Sequence, residues 1–239
     1  MSKTPIRLLV HGASGRMGQA LLRLAADRED LRVVAAVSRK VDQRVVDGIP
    51  RFAAKELAGV PAFDAAIDFS LPDGFEAMLA LCVSRSAAFV SGTTGLSDDQ
   101  RGALDAAASR IPVLWAANFS LGVAVLDLLV ERAARDLDGW ACDILEQHHV
   151  HKLDAPSGTA LALGASAERG GAAPRYASVR AGDIVGEHTV QFAGVGERVE
   201  LVHRATNRDV FALGALTAAV RLAARTPGLY GMRDLLADA

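Results

Sequence analysis

Lysine, cysteine and aromatic side chains are scarce in this 239-residue chain, and each shortage closes off a class of protein. The two cysteines, Cys82 and Cys142, lie far apart with no CxxC pair and no Cys/His ligand spacing. That excludes a disulfide framework and a zinc site, so no metal is expected, and it points to a reducing, cytoplasmic setting. Aromatics are 5% of residues, too few for an aromatic-rich β-sandwich. The core has to come from alanine and aliphatic side chains packed between helices and sheets. Charge of one sign is missing too: a formal net charge of -2 with no basic segment leaves no footprint for nucleic acid. No apolar run reaches the roughly 18 residues of a membrane span, and no apolar signal region follows Met1, so neither membrane nor export is expected. Only Lys3, Lys40, Lys55 and Lys152 stand among 26 basic residues, so a lysine kept within a polar cluster carries weight of its own.

Hydrophobic residues at 51% and charged residues at 23% are typical of a globular chain. At about 150 residues per domain the length fits one large domain or two small ones. The order of elements predicts an α/β fold. Strands at Ile6–Val10, Leu31–Val37, Ala65–Phe69, Ala88–Val90 and Pro112–Trp115 alternate with helices at Arg16–Asp27, Gly74–Arg85 and Ser97–Ser109, the grammar of a Rossmann-like parallel sheet with right-handed crossovers. After Ser120 the pattern changes. A helix over Gly122–Asp136, a strand over Ala141–Glu146 and a helix opening near Ser157 lead into an alternating hairpin, Glu187–Phe192 and Arg198–His203, turned at Gly194-Val195-Gly196. This second region reads as a smaller α+β domain with an open mixed or antiparallel sheet. Arg208–Ala224 is helical again, and Gly170–Pro174 is the most linker-like stretch. The expected division is residues 1–120 with 208–239 as a dinucleotide-binding domain around an inserted substrate-binding domain, 121–207.

The first strand runs into His11-Gly12-Ala13-Ser14-Gly15-Arg16-Met17-Gly18. The G-x-x-G-x-x-G spacing suits a pyrophosphate at a helix start: glycine permits the tight turn, the close backbone approach and the close helix packing. Gly12, Ala13, Ser14, Gly15, Arg16 and Met17 are therefore expected to bind cofactor. At the end of the second strand, where an NAD site carries a carboxylate for the ribose hydroxyl, stand Ser38-Arg39-Lys40. Nothing there repels a 2′-phosphate and Arg39 can pair with one, so NADPH is expected over NADH. Gly92-Thr93-Thr94-Gly95 and Ala116-Ala117-Asn118-Phe119 follow later strands at their carboxyl ends, where a nicotinamide can lie against small residues.

The densest chemistry is Glu146-Gln147-His148-His149-Val150-His151-Lys152-Leu153-Asp154-Ala155-Pro156-Ser157-Gly158-Thr159. Three ligands on such close residues rarely converge on one metal ion, whereas an imidazole titrating near neutrality suits proton transfer. Lys152 adds positive charge, and a helix beginning at Ser157-Gly158-Thr159 offers N–H groups and a dipole to an anion. Together they describe a pocket for a small anion with more than one carboxylate.

These motifs, with Ala181-Gly182-Asp183-Ile184-Val185-Gly186-Glu187-His188, closely resemble the dihydrodipicolinate reductase family over nearly the whole chain. The resemblance implies NAD(P)H-dependent reduction of 4-hydroxy-tetrahydrodipicolinate with loss of water, in diaminopimelate and lysine biosynthesis, by a cytoplasmic homotetramer assembled through the second domain's sheet. It implies His148 as proton donor with Lys152 as partner. His149, Lys152, Gly158 and Thr159 would hold the substrate carboxylates. This chain departs from the family in having Ser38 where NADH users carry an acid, and Gly122-Val123-Ala124 for Gly-Val-Asn. Its 39–65 and 168–178 segments are also shorter than in many members. A semialdehyde dehydrogenase needs a thiolate, and Cys82 falls mid-helix while Cys142 begins a strand. A non-catalytic NADP-binding redox sensor has no use for His148-His149-x-x-Lys152.

Overall fold

A computed structural model describes residues 4–236. The three residues at each end, Lys3 among them, lie outside the described residues. The chain divides into two compact units, one running to Phe119 and resuming at Phe211, the other Ser120–Val210.

The first unit contains β1 (Ile6–His11), α1 (Arg16–Ala25), β2 (Leu31–Ser38), β3 (Val45–Val46), β4 (Ile49–Ala53), a 3-10 helix (Ala54–Gly59), β5 (Ala65–Asp68), α2 (Pro72–Arg85), β6 (Ala88–Ser91), α3 (Asp98–Ala108) and β7 (Pro112–Trp115). The strands lie in the order β12-β7-β6-β5-β1-β2-β4-β3, where β12 is Gly228–Tyr230; all neighbours are parallel except the β3–β4 hairpin. Strand order reverses between β1 and β5, so their carboxyl ends form a crevice of the kind that takes ligands in open α/β sheets. Leu9, Ala66, Phe89 and Val113 pack with Phe75, Met78 and Leu104 of α2 and α3. Side chains alternate along a strand, so Leu8, Val10 and Ile67, also wholly buried, occupy the other face. Burial on both faces is why these strands read as continuous apolar runs.

Two stretches differ from the sequence expectation. The segment between Arg39 and Ala65, to which the sequence pattern assigned no element, folds into β3, β4 and the 3-10 helix; β4 joins the sheet beside β2, and Glu56 accepts from the Ala53 N–H and pairs with Arg44. Strand β3 has only two residues, and β4 is half-buried along most of its length, with no alternation to read. Gly170–Pro174 is no linker: the Gly170 N–H closes the preceding helix on Ala167 O, and the chain turns at once into a strand at Pro174.

The second unit comprises α4 (Leu121–Asp136), β8 (Ala141–His148), α5 (Gly158–Arg169), β9 (Pro174–Arg180), β10 (Gly186–Ala193) and β11 (Arg198–Ala205), after which α6 (Asp209–Leu222) leads back into the first unit. Its sheet is mixed, in the order β11-β10-β8-β9, with β9 parallel to β8 and the other pairs antiparallel. Cys142, Ile144, Val190 and Phe192 face Leu126 and Val130 of α4 and Ala160, Leu163 and Ala167 of α5. The opposite face has no helix over it among the described residues. It presents Leu145, Val179 and Val202, each about two-fifths exposed, among the pairs Asp143–Arg175 and Glu187–Arg204.

Two glycines in helices offer a paired test. A Cβ at Gly18 would sit 2.3 Å from Gly12 O, backbone that cannot yield, whereas a Cβ at Gly102 in α3 meets nothing within 4 Å. Urea unfolding should show Gly18→Ala destabilised by at least about 1–3 kcal/mol, the range for overpacking. Gly102→Ala should be stabilised by about 0.4–1 kcal/mol.

Candidate active site

In the first unit the glycine turn stands at the crevice. Gly12 has φ +76°, and a Cβ on it would lie 2.3 Å from Phe69 O, so only glycine fits both the conformation and the approach. The Ala13 N–H donates to Val37 O and the Gly15 N–H to Gly12 O. Gly15 is the N-cap of α1 and has no side chain to cap it, so the Arg16 and Met17 N–H groups are the donors this helix start offers to an anion. Ser14, Gly15 and Arg16 are exposed there, Met17 half-buried and Ala13 buried. Such an uncapped, glycine-lined helix start fits a dinucleotide pyrophosphate. Ser38 ends β2 and is buried; Arg39 and Lys40 follow it into solvent.

The two later turns hang on a residue that sequence reasoning did not single out. Asp68, fully buried at the end of β5, accepts from His11 Nδ1 (2.9 Å), Ser70 N (3.1 Å), Ser91 Oγ (2.9 Å) and Thr93 Oγ1 (2.8 Å). Burial alone would raise its carboxyl pKa; these hydrogen bonds outweigh it and hold the group below the ordinary value. Thr93 therefore points inward, its carbonyl accepting from Trp115 Nε1, while Thr94 is exposed and Gly92 packs on the Phe69 ring. Ala116, Ala117 and Asn118 reach the surface to differing degrees, but Phe119 is 2% exposed and meets Phe69 edge-on at 5.3 Å. The signal for Asp68 was present: a carboxylate ending an apolar strand.

In the second unit the inner face of the sheet changes from apolar to ionisable along single strands. Ile144 gives way to Glu146 and His148 on β8, and Val190 to His188 on β10. Glu146 is wholly buried, with His148 Nδ1 at 2.5 Å and the Arg180 fork at 2.7 and 2.9 Å. Burial pushes its pKa up, but donation from Arg180, Ser178 and His148 prevails and pulls it down to about 2. Burial lowers the His148 pKa and Glu146 opposes the shift. The edge of His148 meets His188, whose Nε2 lies 3.0 Å from Ser157 Oγ and whose pKa burial pushes down to about 4. Gly186 leaves room for the imidazole, since a Cβ there would stand 3.0 Å from His148 Nε2.

Ser157 caps α5 by accepting from the Ala160 N–H and follows a cis Ala155–Pro156 bond. Gly158, exposed with open space before it, and half-buried Thr159 make the first turn. Lys152 Nζ pairs with Asp154 at 2.8 Å, His149 Nδ1 is buried without a hydrogen-bond partner, and His151 is exposed. Glu146 and His188 stood within the quoted motifs but were given no role, although an i, i+2 spacing on a strand places Glu146 beside His148. Among the described residues no group of three or more His, Cys, Asp or Glu could hold a metal, and no helix is long and apolar enough to cross a membrane.

The lowered Glu146 pKa fixes a pH dependence. A carboxyl at about 2 when folded and near 4.5 when unfolded contributes stability in full above 4.5, lost as pH falls toward 2. Urea midpoints should drop across that window, and Glu146→Gln should flatten the dependence; an identical acid slope in the variant would contradict the assignment.

Comparison with known proteins bears on this arrangement. The family models "Dihydrodipicolinate reductase, N-terminus" and "Dihydrodipicolinate reductase, C-terminus" match residues 6–119 and 122–236. Proteins named 4-hydroxy-tetrahydrodipicolinate reductase are 71% identical in Stenotrophomonas maltophilia (strain K279a) and 67% in Xanthomonas campestris pv. campestris (strain B100), each alignment covering 99% of this chain and all of the relative. Among solved structures, the dipicolinate-bound dihydrodipicolinate reductase from Paenisporosarcina sp. TG-14 superposes with a TM-score of 0.78 at 22% identity, over 95% of this chain and 97% of that one. The C. glutamicum DAP dehydrogenase shares the fold at 0.63 and 14%, over 97% and 94%. Matched in both halves and by full-length relatives at such identity, the chain belongs to the dihydrodipicolinate reductase family.

Proposed function

We propose that this protein reduces 4-hydroxy-tetrahydrodipicolinate to tetrahydrodipicolinate with loss of water, in diaminopimelate and lysine biosynthesis. Net, the substrate loses one water and gains one hydride and one proton. The observation that carries the reading is the clustering, within one unit, of a carboxylate-held His148, Lys152 and the start of α5.

His148 gives the proton from Nε2, the nitrogen that Glu146 does not engage. Lys152, His149 and the Gly158–Thr159 helix start hold the substrate carboxylates. The Lys152–Asp154 pair is partly exposed and hence weak, so a substrate carboxylate can take the place of Asp154. In the first unit, Gly12 to Met17 would hold the pyrophosphate, and the turns at Gly92–Thr94 and Ala116–Phe119 the nicotinamide end. A bound nicotinamide nucleotide supplies the hydride. Arg39, with Lys40 beside it and no carboxylate at Ser38, favours NADPH over NADH. The bare sheet face, with its apolar residues among charged pairs, is read as the surface that assembles a homotetramer. Two buried free thiols accord with a cytoplasmic setting.

NADPH absorbance, followed with substrate generated from pyruvate and aspartate semialdehyde, should fall with enzyme; no oxidation above background defeats the reading. His148→Gln should cut turnover by about two to four orders of magnitude, the scale of a lost general acid, with NADPH binding intact. Arg39→Ala should raise KM for NADPH and leave that for NADH nearly unchanged. Light scattering should return the mass of four chains, and Val202→Asp on the bare face should lower it.

A further inference from the structure

Arg180, at the end of β9, stands where two parts of the second unit meet. Its guanidinium makes five hydrogen bonds: Nη1 to Glu146 Oε2 (2.9 Å) and Val179 O (2.7 Å), Nη2 to Glu146 Oε1 (2.7 Å) and Asp154 O (2.6 Å), and Nε to Lys152 O (3.2 Å). A guanidinium has five N–H donors in a rigid plane, so every one is used. Two hold the carboxylate that holds His148. Two others hold main-chain carbonyls of the segment that carries Lys152. The neighbouring backbone reinforces the clamp, with the Ala181 N–H donating to His148 O and the Val150 N–H to Gly182 O.

We infer that Arg180 is the positioning residue of the site, a single guanidinium that fixes the His148 imidazole through Glu146 and the Lys152 segment through its carbonyls. The inference rests on the reading of His148 as proton donor. Glu146 has no exposed surface, and a buried carboxylate with one partner removed either protonates or turns away. With the fork in place it stays ionised, accepts a hydrogen bond from His148 Nδ1–H and leaves Nε2 as the atom for transfer. The charged and titratable groups facing His148 are Glu146 on its own strand, Arg180 on β9, Lys152 on the following segment and His188 on β10. Of these only Glu146 favours the imidazolium. Lysine at 180 would keep the charge but has three donors on one point, so it cannot span the carboxylate and both carbonyls.

Two variants separate the two arms. Glu146→Gln, an isostere, should lower kcat about 100-fold, the scale of a misplaced reacting group, with little change in substrate KM. The His148 titration, read by nitrogen NMR of labelled histidine, should move to lower pH, and the alkaline limb of the kcat profile with it. Arg180→Lys should lower kcat similarly and also raise substrate KM, because the Lys152 segment is released; affinity for NADPH should not change. An unaltered His148 resonance and titration in both variants overturns the inference, whatever turnover does. Undiminished turnover in His148→Gln overturns instead the proton-donor reading, and the NMR result still decides the positioning role.

Discussion

A carboxylate taken out of water has to find a full set of donors, and each unit of this protein gathers its strand ends around one. Asp68 draws on His11 at the end of β1, Ser91 at the end of β6 and Thr93 just beyond it, so three adjacent strands finish in register where the glycine turns begin. Glu146 does the same between β8 and β9, and its partner Arg180 ties in the segment after β8. Neither group can move without stranding the others, since an unpaired buried charge costs more than any one hydrogen bond returns. The polar ends of otherwise apolar strands thereby become the rigid places from which loops can present chemistry.

The scarcity of large side chains serves the same end. Gly12 lies against Phe69 O, Gly18 against Gly12 O and Gly92 against the Phe69 ring, so turn, helix and neighbouring strand approach more closely than any Cβ permits. Four of the aromatics meet in pairs, Phe69 with Phe119 beside the turns and Phe75 of α2 with Phe89 of β6. Phe119, closing the Ala116–Phe119 turn, is anchored by that contact with Phe69.

Much of the architecture was legible because it repeats. Parallel strands buried on both faces read as apolar runs, β10 showed a period of two, and the glycine turn after it marked β11. The polar cluster stood out by composition, with His148, His149, His151 and Lys152 crowded together in a chain poor in both residue types. The strands that escaped had no local signature. Strands β3 and β12 are two and three residues long, and β9 is an exposed edge without a buried stripe. Arg180 looked like one arginine among many. Its importance arises only when parallel pairing sets it beside His148.

The sequence by itself determined the α/β order, the glycine turn, the family and the histidine–lysine cluster, because each is written in contiguous residues whose types and spacing carry the chemistry. Only the tertiary structure decided which charges hold them. Asp68 meets His11, and Glu146 meets Arg180, across tens of residues of intervening chain. Such a pairing depends on strand register and burial, which no window of sequence contains.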